Sequence, residues 1–117
     1  MAMTIYENSV HEVYVNDLTD IIYLSPSTLD GAAMDSNWSC KQRVVDSDEV
    51  EVISEVSVTE KSGDNSEFKV YLTGTQTGTL TAGDYTWYIQ IRNDVLSPPF
   101  IKEIHLLLRV SDEGILS

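Results

Sequence analysis

The chain has one cysteine, two histidines and seven basic side chains in 117 residues, and each scarcity removes a class of explanation. A lone thiol, Cys40, closes no intrachain disulfide, so burial of a core must hold the domain together, and the chain can fold in a reducing cytoplasm. With no Cys-x-x-Cys and no His-x-x-x-His spacing, a transition-metal site is not expected. Seven basic against nineteen acidic residues give a formal net charge of −12, which repels a phosphate backbone and an anionic lipid surface. Neither nucleic acid nor membrane is an expected partner. No apolar run approaches the roughly 18 residues that span a bilayer, and the first ten residues lack the basic and apolar regions of a signal peptide. Asn37-Trp38-Ser39 is therefore read as a chance glycosylation sequon.

What is present is alternation. The chain is 42% hydrophobic, enough for one compact domain, taken as residues 1–117 with a core over about 4–110 and a polar tail at 111–117. In the stretch Tyr85, Trp87, Ile89, Ile91 the apolar residues fall on one face, and Thr86, Tyr88, Gln90, Arg92 fall on the other. Strands are expected near Thr4–Glu7, His11–Asn16, Ile21–Ser25, Asn37–Val45, Val50–Thr59, Glu67–Thr73, Asp84–Arg92 and Phe100–Val110. Gly, Asn, Asp and Pro clusters between them mark turns, and the spacing predicts an all-β, antiparallel, immunoglobulin-like β-sandwich of seven or eight strands. Ser62-Gly63-Asp64-Asn65 is the best hairpin signal and predicts that Val50–Thr59 pairs antiparallel with Glu67–Thr73.

Facing follows from the same period. Phe68, Val70 and Leu72, together with Trp38 and Cys40, point inward; Lys41, Arg43 and both histidines, His11 and His105, point to water. The last strand is apolar on both faces. Ile104, Leu106, Leu108 and Val110 form its core face, leaving Ile101 and Leu107 outside, where with Ile53, Tyr71 and Tyr88 they are candidate subunit contacts.

Chemistry-bearing clusters are sparse. Asp46, Asp48, Glu49 and Glu51 read as a solvated acidic strand edge, with a calcium site on Asp46, Asp48 and Glu49 as the sharper alternative. No Gly-x-Ser-x-Gly marks a nucleophile. Gly74-Thr75-Gln76-Thr77-Gly78 has a superficial look of a phosphate loop, but no lysine follows, and it reads as a strand connection. The six tyrosines and two tryptophans could offer a carbohydrate-stacking platform, although in a sandwich most such rings pack in core or rim.

The segments Phe68-x-Val70-x-Leu72-Thr73, Gln76-Thr77-x-x-Leu80 and Ala82-Gly83-Asp84-Tyr85-x-Trp87-x-Ile89-Gln90-Ile91 resemble small β-sandwich modules of tailed bacteriophages. They are similar in particular to the N-terminal domain family of phage baseplate upper proteins. Leu29-Asp30-Gly31-Ala32-Ala33-Met34-Asp35, leading into Trp38-Ser39-Cys40-Lys41-Gln42-Arg43, is similar to that family's loop and following strand. The resemblance implies a non-enzymatic virion protein with no cofactor: a capsid decoration or head-fibre protein, a neck or tail accessory, or a baseplate component. Such a protein would be made in the host cytoplasm and bind other virion proteins, as a homo-oligomer or in many copies on a symmetric particle. The alternative expectation is a carbohydrate- or calcium-dependent ligand-binding module.

Overall fold

The computed structural model describes residues 10–26, 31 and 34–112. The expected strand at Thr4–Glu7, Leu29, Asp30, Ala32 and Ala33 of the loop, and the tail beyond Asp112 lie outside these. Among the described residues the fold is all-β, with seven strands: β1 (Val10–Tyr14), β2 (Ile22–Leu24), β3 (Trp38–Val45), β4 (Glu51–Ser57), β5 (Phe68–Val70), β6 (Gly83–Asn93) and β7 (Phe100–Ser111). They form a five-stranded sheet in the order β1-β7-β6-β3-β4 and a two-stranded sheet of β2 and β5.

The long antiparallel ladder of β6 with β7 runs from Gly83↔Val110 to Asn93↔Phe100, and β3 lies on the other side of β6 from Trp38↔Asn93 to Val45↔Thr86. These strands alternate because one face packs on the core: Tyr85, Trp87, Ile89 and Ile91 are buried beside Ile104, Leu106, Leu108 and Val110. Phe68 and Val70 of the second sheet and Leu72 just beyond it, with Trp38 and Cys40, join the same core, as the alternation predicts. The two sheets are also joined by a polar contact. Buried Gln42 accepts a hydrogen bond from Trp87 Nε1 (2.8 Å) and donates through Nε2 to the Tyr71 carbonyl (3.0 Å).

Three expectations need correction here. First, the large sheet is mixed, because β1 runs parallel to β7 with Val13 opposite Val110. Second, β4 does not pair with β5: it pairs with β3, while β5 pairs with β2. The Ser62–Asn65 turn is real, closed by Ser62 N–H to Glu67 O (2.9 Å) with Asn65 at φ 62°, but it supports only a short hairpin that includes a Lys61↔Phe68 bridge. The turn carries the chain from one sheet to the other. Third, His11 turns inward, its ring meeting the Trp87 indole edge to face at 5.9 Å.

The Gly74–Gly78 segment connects β5 to β6 as expected, and it contains a single helical turn, α1 (Gly74–Thr77), opened by a capping box in which Thr73 and Gln76 exchange side-chain and backbone hydrogen bonds. The loop after β1 lies directly on it. Thr77 Oγ1 donates to the Asp17 carbonyl (2.7 Å), and a Cβ at Gly74 would stand 2.5 Å from the Asn16 carbonyl oxygen. Thr19 fixes the same loop to the end of β5, giving its N–H to the Leu72 carbonyl and accepting the Leu72 N–H on its hydroxyl.

Candidate functional site

Odd and even positions of the central strands separate cleanly, so the side of the five-stranded sheet away from the core is defined by register. Tyr88 sits at its middle, paired with Arg43 on β3 and His105 on β7. The Arg43 guanidinium lies 4.2 Å from the Tyr88 ring centroid, and the His105 ring meets Tyr88 edge to face at 4.4 Å. The Tyr88 hydroxyl reaches Glu49 Oε1 at 3.4 Å. Partial burial, followed by the Glu49 charge, raises the Tyr88 pKa, with Arg43 opposing. The phenol is therefore a neutral donor at physiological pH.

Around this stack the face is apolar on one flank and charged at its ends. Leu107 is in register with Thr86 on β6 and Val10 on β1, and a shallow hollow of about 200 Å³ opens between Thr86, His105 and Leu107. Ile101 is 52% exposed and stands beside Arg92. At one end Arg109 binds Asp84 (3.0 Å) and approaches Glu12 (3.9 Å); at the other Arg92 binds Asp94 (2.8 Å). Between them Lys41 pairs with Glu55 (3.4 Å) and His105 with Glu103 (3.1 Å).

Of the five candidate contact residues, Tyr88, Ile101 and Leu107 come together on this face. Tyr71 lies elsewhere, lining an open groove with Gln42, Val56 and Gln76, and its hydrogen bond to Glu60 raises its pKa. Ile53 must be corrected: it is buried in the core at 8% exposure, opposite Val44. Two register shifts between β3 and β4 break the simple alternation of β4, so that both Ile53 and Val56 stand opposite inward positions of β3, with Val56 exposed at the open groove.

The acidic loop is self-sufficient. Asp46 Oδ1 accepts the N–H groups of Asp48 (2.8 Å) and Val50 (3.0 Å), and Glu49, at φ 66°, reaches back to Tyr88. This arrangement builds a tight β3–β4 turn and does not converge Asp46, Asp48 and Glu49 on a point. Among the described residues no group of three or more His, Cys, Asp or Glu is placed to hold a metal ion. Burial pushes the Cys40 thiol up to about 12, which leaves it a neutral core side chain and a poor nucleophile. No helix among the described residues is long and apolar enough to cross a membrane.

Sequence reasoning missed two features. The Arg43–Tyr88–His105 stack could have been found by aligning the outward positions of three neighbouring strands, but that requires the pairing partners. Gln42 gave no signal, since its role depends on a tryptophan 45 positions away. No protein-family model, curated protein or solved structure matches the chain.

Proposed function

We propose that this chain is a non-enzymatic structural module of a tailed-bacteriophage particle, an immunoglobulin-like β-sandwich that acts by protein–protein assembly. The fold part of the reading is supported by strand order. With β2 to β7 taken as B, C, C′, E, F and G, the large sheet reads G-F-C-C′ and the small one B-E, the arrangement of variable-type immunoglobulin sheets with β1 added alongside G. The phage assignment comes from the resemblance of the β5–α1–β6 stretch to baseplate-associated modules.

The observation that carries the assembly reading is the outer face of the five-stranded sheet, where Ile101 is exposed and Tyr88 and Leu107 are half-buried among paired charges. An aromatic and arginine centre with an apolar flank and charged ends matches the enrichment of aromatic residues and Arg at protein interfaces. The Tyr88 hydroxyl and the carboxylates of Asp46, Glu49 and Asp84 nearby are engaged in hydrogen bonds, a turn and an ion pair.

Purified particles from the source, analysed by mass spectrometry and by gold-labelled antibody in the electron microscope, test the proposal. Peptides in the particle and label at one fixed position support it and locate the protein at head, neck or tail. Particles free of both overturn it.

A further inference from the structure

The charges of this chain are unevenly distributed. The outward positions of β3, β6 and β7 hold Lys41, Arg43, Arg92 and Arg109, four of the seven basic residues in a protein of net charge −12. The acids on this face are Glu12, Asp84 and Glu103 at outward positions of β1, β6 and β7, Glu55 of β4 paired with Lys41, and Glu49 of the β3–β4 turn at the Tyr88 hydroxyl, five against four cations. This face is therefore close to neutral, whereas the rest of the molecule is strongly negative and would repel a second copy.

The pattern is also ordered. The cations Lys41 and Arg43 lie on β3, the acid Glu103 and the apolar Leu107 lie on β7, and β6 runs between them. Lys41 is level with Gln90, and Gln90 is level with Glu103. A two-fold axis parallel to the strands and above β6 exchanges the β3 and β7 flanks while keeping each level. It would set Lys41 of one copy against Glu103 of the other, twice, with the two Tyr88 rings near the axis. Sheets packed face to face lie within about 30° of alignment, so the central strand stays in contact.

We propose that a second copy of this chain docks on the outer face of the five-stranded sheet, making an isologous dimer with reciprocal Lys41–Glu103 contacts and Leu107 in the apolar part of the interface. Five strands spaced about 4.8 Å apart, over the eight residue pairs of the β3–β6 ladder, give a face of about 600 Å². That approaches the roughly 800 Å² per partner of a standard interface. The Lys41–Glu55 pair within one copy is no obstacle, because exposed ion pairs contribute little and exchange readily.

The inference deepens the assembly reading but is tested apart from the particle. Sedimentation velocity on the full chain reads self-association, with circular dichroism as the control for folding. The parent chain is expected to dimerise, and Lys41→Glu and Glu103→Lys each to weaken the dimer by about tenfold or more, since each places like charges opposite one another. Mixing the two variants should restore a dimer, because the heterodimer alone has both contacts of opposite sign. Leu107→Asp, still folded, should abolish association. A monomeric parent chain, association that survives Leu107→Asp, or variants that fail to recombine would overturn the proposal. A dimer that behaves as expected in a protein missing from virions would sink the phage assignment and leave this inference standing.

Discussion

Gln42 shows how much one side chain can specify. Trp87 is fully buried, so its indole N–H needs an acceptor, and the Gln42 amide supplies one while its own N–H reaches the carbonyl of Tyr71 next to β5. In Gln42→Leu the indole N–H has no acceptor in an apolar setting, which should cost about 2–3 kcal/mol and lower the melting temperature by roughly 10 °C. Thermal unfolding followed by circular dichroism measures this, and a melting point unchanged from the parent would show that the amide is dispensable. Cys40 supplies a prediction of opposite character. Its folded pKa, about 12, lies above the ordinary 9.0, so in the alkaline range the unfolded chain loses a proton that the folded chain keeps. Its contribution to stability is complete below pH 9.0 and is lost as pH rises towards about 12, by up to about 1.4 kcal/mol per pH unit. Urea denaturation across this range should give a shallower alkaline decline for Cys40→Ala than for the parent chain. Equal slopes would mean that the thiol ionises in the folded state as readily as in the unfolded one.

At the scale of elements, the loop following β1 and the turn α1 act as one unit. Asn16, in the left-handed region at φ 72°, presses its backbone carbonyl against Gly74 and its side chain against Gly78. Gly74→Ala should therefore destabilise the fold by roughly 1–3 kcal/mol, because its new methyl group meets backbone and not a flexible side-chain end. Thr73→Ala, which only removes the capping box, should cost about 1 kcal/mol. Chemical denaturation of both variants checks the order; if Thr73→Ala is the more damaging, the close approach is not what the glycine is there for. The same elements show what was legible. The strand β6 could be read almost to its ends, because a hydrophobic core on one side and water on the other impose a strict period of two. The partner of β4 could not: Ser62–Asn65 fixes a turn but not how far the flanking chains stay together, and the shared core lets them diverge into different sheets. Ile53 was misread for a related reason, since each bulge in β4 reverses the faces that alternation assigns. The parallel placement of β1 against β7 leaves no local mark at all, being a contact between residues almost a hundred positions apart. The candidate face was legible as separate residues, Tyr88, Ile101 and Leu107, and became a surface only once register set them side by side.

For the whole molecule the dominant fact is charge. A net −12 spread over 117 residues opposes compaction, because folding gathers the acids of the loops and edges at distances within the Debye length of about 10 Å at 0.1 M salt. Against this stand ion pairs such as Lys41–Glu55, Arg92–Asp94 and Arg109–Asp84, all substantially exposed and individually weak. Salt screens both, but repulsion involves many more pairs of charges than attraction does. Raising sodium chloride from low to moderate concentration should therefore increase the stability of the monomer. A gain of about 1 kcal/mol at 0.5 M, seen as a melting temperature several degrees higher, is the expected size. The measurement belongs on Leu107→Asp, the variant expected to remove the proposed association, so that a salt effect on folding is not mistaken for one on docking. A melting temperature that falls with salt would mean that the ion pairs on the outer sheet outweigh the repulsion elsewhere. In that case the same pairs would have to be counted, with the core, as part of what holds the five-stranded sheet in shape.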